Sequence, residues 1–342
     1  MNNNPAVTNE VAKQDTNPDI EHQDKKQEED VLGETKGGLI AKTFLRLLPV
    51  FDEEDIKNLK LHKYSGSDEG LMYRFFYNPV ANWLVSFLPD YIAPNLLTVI
   101  GFIHSITPVI VAFTVAGADL VGKVPNWILF LQAYCYFAYR LLDEMDGKQA
   151  RNTGNSSPLG LLFDHGCDCF STGLQLMLGL RTAQVGNNAI SLSLMLIGMW
   201  SFHFTTLEEY YIGTLKLPVC NAVSDGSVII VAFYIFSGIV GNEYWLKEVV
   251  SAKWLGVEEV EMLTLGQVSL MVFILLITLT IVANFIRIFV SRWYPRDTQS
   301  EKVRFDFLAV QVLAMVVLSA VWIWYAYCGD DPIMARPMKQ VD

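Results

Sequence analysis

Apolar side chains dominate seven stretches of the chain, at 95–117, 126–145, 158–181, 188–211, 226–241, 264–287 and 305–328. They show neither the alternation of a half-buried strand nor the single stripe of a surface helix. Each is close to the ~20 residues with which an α-helix crosses a bilayer, and a helix satisfies its own backbone in hydrocarbon. The pattern predicts an all-α fold, a polytopic membrane helical bundle of about seven transmembrane helices. Two further stretches, 39–51 and 78–92, mix aromatic, apolar and polar residues over lengths too short or too interrupted to span. They are expected to be interfacial amphipathic helices lying at the headgroups.

The chain is then expected to divide into a disordered acidic tail (1–37), an interfacial region (38–93), a transmembrane domain (94–330) and a short tail (331–342). Of its 342 residues 52% are hydrophobic and 18% charged, with a mean hydropathy of +0.30, too apolar for an ordinary soluble enzyme. The net charge of -11 says little about partners, because residues 1–36 hold nine Asp or Glu against four Lys, the composition of a solvated tail. No nucleic-acid partner is expected. The first 37 residues contain no apolar run of the kind a signal peptide needs, so targeting is expected to come from the first span. Five cysteines at 135, 167, 169, 220 and 328 lie mostly in apolar stretches and suggest neither a disulfide framework nor a zinc site.

Basic residues orient the bundle. Lys148 and Arg151 sit between the second and third stretches, and Arg287, Arg292, Arg296, Lys302 and Arg304 lie at or between the sixth and seventh. Both loops are expected on the cytoplasmic side. Segments 118–125 and 242–263 carry three Lys and six acidic residues and suit the lumenal side. Asn155-Ser156-Ser157 fits a glycosylation signal, but this orientation keeps it away from the glycosylation machinery.

Against this apolar background, FDHGCD at 163–168 is anomalous, since a charged side chain at mid-bilayer costs about 2.5–3.5 kcal/mol on insertion scales. The acidic residues fall into two pairs, Asp143 with Asp146 and Asp164 with Asp168, spaced by three and four so that each pair shares a helix face. Ser157-Pro158 is a helix start. At about 1.5 Å per residue, Asp164 and Asp168 lie about 9 and 15 Å along the third span. All four carboxylates can then meet in a pocket open to the cytoplasm. So many like charges resist joint ionisation, and two divalent cations would balance them; oxygen ligands favour Mg²⁺ or Mn²⁺. Gly147 and Gly160 leave room for a phosphate ligand to approach the backbone, Ala150 keeps the surface small, and Arg151 offers a planar fork to phosphate oxygens.

The combined spacing is D-x2-D-G-x2-A-R-x8-G-x3-D-x3-D, filled by Asp143, Asp146, Gly147, Ala150, Arg151, Gly160, Asp164 and Asp168. It resembles the signature of the CDP-alcohol phosphatidyltransferase class-I family. DGKQARNTGNSSPLGLLFDHGCD, YIAPNLLTVIGF at 91–102 and the region from Glu208 through GTLKLP resemble its eukaryotic choline and ethanolamine phosphotransferase branch. The resemblance runs from about Leu61 to Gly226, is loose onward to Cys328, and is missing in residues 1–37.

The resemblance implies transfer of phosphoethanolamine or phosphocholine from CDP-ethanolamine or CDP-choline to 1,2-diacylglycerol, with release of CMP. Two Mg²⁺ or Mn²⁺ ions would be held by Asp143, Asp146, Asp164 and Asp168. It further implies that Asn95 contacts the nucleotide, that His165 takes the proton of the diacylglycerol hydroxyl, and that Glu208 holds the ring, with Glu209 beside it. In shorter bacterial relatives the last aspartate, here Asp168, is usually the base; His165 is preferred here. His203 is expected to be a packed histidine without a catalytic task. An endoplasmic reticulum or Golgi membrane is implied, with contacts to membrane lipid. Animal and fungal members are longer, and the resemblance would put a homodimer contact in helices beyond the seventh. Another family chemistry, with a CDP-diacylglycerol donor and an acceptor such as inositol, is disfavoured by His165 in DHGCD. A cation- or proton-coupled transporter would also carry buried Asp and His, but would not need Gly147, Ala150, Arg151 and Gly160 at fixed offsets.

Overall fold

A computed structural model describes residue 57 and residues 66–117, 119–219, 221–251, 262–293 and 305–328. The acidic tail, the 39–51 segment, Cys220, much of the 242–263 segment, the basic loop from 294 to 304 and the final tail lie outside the described residues. Met1–His62 and Lys63–Asp342 are separate compact units; in the first, only the exposed, helical Lys57 is described. Within the second, a π-helical turn at Tyr73–Tyr77 precedes α1 (Asn78–Val85), α2 (Pro94–Ala116), α3 (Asn126–Asn152), α4 (Pro158–Thr182), α5 (Ala189–Ile212), α6 (Ser224–Val240), α7 (Leu265–Trp293) and α8 (Phe305–Cys328). Strands are minor: β1 (Gly66–Asp68) pairs in parallel with β2 (Leu215–Leu217), and β3 (Glu248–Ser251) pairs antiparallel with β4 (Met262–Thr264).

All seven apolar stretches are helices, and the expected helical membrane bundle is the observed architecture. Four of them, α2, α5, α7 and α8, are long and apolar enough to cross a bilayer, and α6 is a shorter apolar helix. α3 and α4 have the length, but their apolar runs are broken by the carboxylates and by Arg140, Lys148 and Arg151. The chain reads as a multi-pass membrane protein. Of the 78–92 segment only Asn78–Val85 is α-helical; Pro89 follows, and Pro94 at the next helix start holds Ala93 extended.

The helix ends follow local chemistry. Ser157 caps α4 by accepting from the Gly160 amide at 3.0 Å, ahead of Pro158. Asn188 caps α5 through the amides of Ile190 and Ser191, and α5 stops at Gly213, whose φ of +76° is left-handed. α3 is central, packed against α2 and α6, while α4 leans on α2 and α5, and α5 lies along α7. One core joins Ala112, Ile128, Leu129, Ala133, Leu178 and Tyr234. A second, of Ala81, Val85, Leu97 and Met145, seats α1 on α2 and on the end of α3. Lys148 donates to Asn78 Oδ1 at 2.7 Å, and Gln149 to the carbonyls of Pro89 and Ile92, so the end of α3 that carries the aspartates is held by the segment before α2.

Candidate metal centre and active site

The acidic residues of α3 and α4 gather toward the α3–α4 connection. Carboxylate oxygens of Asp143, Asp164 and Asp168 all lie within 4.8 Å of one another, so α3 and α4 bring together three of the four predicted metal ligands. Asp146, 7% exposed, is not part of that tight group. Its Oδ2 accepts from Thr98 Oγ1 on α2 at 2.5 Å, although Asp143 and Asp168 are near enough to act on it electrostatically.

Three of the four aspartates have a dedicated donor. Arg140, one turn before Asp143, pairs with it and, through its other terminal nitrogen, with Glu144 at 3.1 Å. Tyr139 donates to Asp168 Oδ1 at 2.5 Å, and Thr98 serves Asp146. Asp164 differs: its Oδ1 is buried with no hydrogen-bond partner among the described residues. An orphaned carboxylate oxygen in a low-dielectric interior is costly, and a divalent cation between the three converging carboxylates would supply its partner. The donor set, oxygens only, fits a hard cation. Asp146, Asp164 and Asp168 form no ion pair among the described residues, which leaves negative charge for a cation to answer.

Two close approaches relate the predicted nucleotide-side residues to one another. A Cβ on Gly160 would lie 3.5 Å from Asn95 Oδ1, so the start of α2 reaches the start of α4. A Cβ on Gly147 would lie 3.4 Å from Arg151 Nη1; Ala150 is half-buried on that last turn of α3, and Arg151 is exposed.

His165 is half-buried beside Asp164. Its Nδ1 is 3.0 Å from the Leu161 carbonyl and its Nε2 is 3.2 Å from Glu209 Oε2. Both ring nitrogens therefore face acceptors, and a neutral ring can donate to only one. The assignment of Glu208 as the ring's partner is corrected by this geometry. Glu208 faces α7 instead, gripped by Arg287 Nε at 2.6 Å and Nη2 at 2.8 Å. The reason is helical rotation: adjacent residues differ by about 100°, so α5 can offer only one of the two glutamates to α4.

Arg140, Tyr139 and Thr98 are not among the site residues the sequence points to, and Glu209 enters there only as the neighbour of Glu208. Arg140 had a signal, since it sits three residues before Asp143 inside an apolar run; Thr98 had none, because its partner is 48 residues away on another helix.

No family model matches the chain. Curated proteins do. Choline/ethanolaminephosphotransferase 2 of Arabidopsis thaliana is 36% identical over 187 residues, 55% of this chain and 47% of its own. Cholinephosphotransferase 1 of Danio rerio is 36% identical over 195 residues, 56% and 49%. An uncharacterized CDP-alcohol phosphatidyltransferase class-I family protein of Dictyostelium discoideum is 36% identical over 200 residues, 57% and 49%. The chain spans about half the length of the curated relatives it matches. The resemblance read from the aspartate signature is thus met by relatives that bear that family's name.

Proposed function

We propose that this chain, a relative of the CDP-alcohol phosphatidyltransferase class-I proteins, transfers phosphoethanolamine or phosphocholine from the CDP-alcohol to 1,2-diacylglycerol, releasing CMP. The observation that carries the reading is the convergence of Asp143, Asp164 and Asp168, with one buried Asp164 oxygen left unpartnered, beside a His165–Glu209 pair. A structural ion-pair network would pair its carboxylates; this one leaves a deficit that suits a cation-bound diphosphate.

Asp143, Asp164 and Asp168 would hold divalent cation, Mg²⁺ or Mn²⁺, with Asp146 completing the set for two ions from its seat on Thr98. When bound, these ions would neutralise and orient the diphosphate. Arg151, exposed at the mouth, would meet the phosphates as a planar fork, while Gly147 and Gly160 let the nucleotide approach and Asn95 lies beside Gly160 to contact it. His165 would take the proton of the acceptor hydroxyl, while Glu209, 3.2 Å from Nε2, orients the ring and balances the positive charge that the ring gains. Tyr139 and Arg140 hold Asp168 and Asp143 in place. About six residues separate Pro158 from Asp164, which sets the aspartate about 9 Å below the helix start. A site at that depth can reach a hydroxyl borne by a membrane lipid while the CDP-alcohol enters from water, on the cytoplasmic side of an endoplasmic reticulum or Golgi membrane.

The test is to express the chain in membranes and supply labelled CDP-ethanolamine or CDP-choline with diacylglycerol and Mg²⁺. CMP and phospholipid should form together, and both should vanish with a chelator and in Asp164→Asn. The donor that is turned over identifies the head group. Uptake of a solute without CMP release would replace the reading with a carrier.

A further inference from the structure

Glu208 is buried near the C-terminal end of α5, where it faces α7 rather than His165. Its carboxyl is 6% exposed, whereas the Arg287 side chain that grips it is 40% exposed. Arg287 Nη2 also donates to Asn284 Oδ1 at 2.5 Å, and Asn284, 2% exposed, donates through Nδ2 to Thr205 Oγ1 at 3.1 Å. The partners are spaced identically on the two helices: Thr205 and Glu208 on α5, Asn284 and Arg287 on α7. Each pair is three residues apart, about 4.5 Å along a helix. Two rungs one turn apart fix both the sliding and the rotation of α5, which a single hydrogen bond would not. Phe204 and Leu207 pack with Ile288 on the same interface.

We propose that Asn284 and Arg287 are positioning residues, whose grip on Thr205 and Glu208 locks α5 in the rotation that presents Glu209 to His165. This rests on the reading of His165–Glu209 as the proton-accepting pair. Glu209 follows Glu208 by about 100° of turn, so the helix face held by α7 decides what faces α4. A side-chain tip lies about 5–6 Å from the helix axis, and a rotation of about 20° carries it about 2 Å. That is enough to break a 3.2 Å contact. The clamp also accounts for a buried glutamate on a spanning helix, where an apolar residue would pack at less cost.

The experiment measures kcat, KM for the CDP-alcohol and its Mg²⁺-dependent binding in membranes for Arg287→Met, Arg287→Lys and Asn284→Leu, each alone and combined with Glu209→Gln. Arg287→Met should lower kcat about 10- to 100-fold, the size of an ångström-scale misplacement, with donor KM and binding within about threefold of the parent. Arg287→Lys should recover part of the loss. In the Glu209→Gln background neither Arg287→Met nor Asn284→Leu should lower kcat further, because the group they position is already gone. Losses that multiply in the double variants, or a fall in donor binding that matches the fall in kcat, would overturn the proposal. A readout without turnover separates it from the functional reading. In a chain freed of its own five cysteines, His165→Cys and Glu209→Cys should be joined by a short bis-thiol reagent, and Arg287→Met should abolish the link. If the parent releases no CMP from either donor, the functional reading fails while that cross-link still tests the clamp; a link that survives Arg287→Met refutes the clamp itself.

Discussion

Tyr139→Phe removes one oxygen and should weaken cation binding without touching a carboxylate. Tyr139 is 8% exposed and packs in the main core, so the phenylalanine ring fits the same space and the loss is confined to the hydroxyl. That hydroxyl donates to Asp168 Oδ1 at 2.5 Å. A hydrogen bond to a charged group contributes about 1.5–3 kcal/mol, and each 1.4 kcal/mol is about tenfold in a dissociation constant. Tyr139 holds Asp168 in place among the converging carboxylates, and without that hydroxyl the carboxyl has to be ordered when a cation binds. Most of the cost therefore falls on the bound state, and the dissociation constant should rise about 10- to 100-fold, the range seen when such supporting partners are removed. Titrating detergent-solubilised protein with Mn²⁺, and following free Mn²⁺ by electron paramagnetic resonance, measures it without substrate. Competition by Mg²⁺ gives the second ion. At saturating cation, turnover should return to near the parent value. An unchanged affinity would refute the reasoning, since Asp168 would then be held equally with and without a cation, or would not touch one.

Three further outcomes follow from the same geometry. Arg140→Met leaves the half-buried Asp143 and Glu144 without their partner, at a cost of about 1–3 kcal/mol; its thermal midpoint should fall in chelator, and Mg²⁺ should raise it by more than it raises the parent's. Glu209→Gln should lower kcat about 100-fold or more, within the range for a proton-transfer partner, with nucleotide binding retained, whereas Glu208→Gln should cost less in turnover because it leaves one oxygen to accept from Arg287. Arg181, fully buried at the opposite end of the bundle, donates to the carbonyls of Ala116, Gly117 and Asp119 and so closes the end of α2; Arg181→Met should lower thermal stability and leave Mn²⁺ affinity unchanged.

What the sequence reveals here follows from how far each interaction reaches. The α4 start was legible because its parts are adjacent: Ser157, Pro158 and the Gly160 amide lie within one turn. The Asp164–Asp168 face and the Asp143–Asp146 face follow from spacing alone, and the meeting of α3 with α4 follows from the short connection between them. Asp146 lies outside the tight group of three and takes a donor from α2, and no pattern within 143–168 encodes Thr98. The span pattern marks α2 to α8 but misjudges the extent of α3, which continues past 145 to Asn152. Lys148 and Gln149 are buried there by hydrogen bonds to Asn78, Pro89 and Ile92, contacts that hydropathy cannot register.

The glutamate pair is the sharpest case, because the two residues are chemically identical and adjacent. Position along α5 cannot choose between them; only rotation can, and rotation is set by α7, 79 residues away along the chain. A buried carboxylate must find a cation or a donor. Arg287 is the cation within reach on the α7 side, and His165 is the ring on the α4 side. Two glutamates in succession can satisfy both at once, each facing its own neighbour, whereas a single glutamate would have to choose. The doubled acid at Glu208 and Glu209 is therefore the sequence trace of a helix wedged between two polar partners, one that holds it and one that it holds.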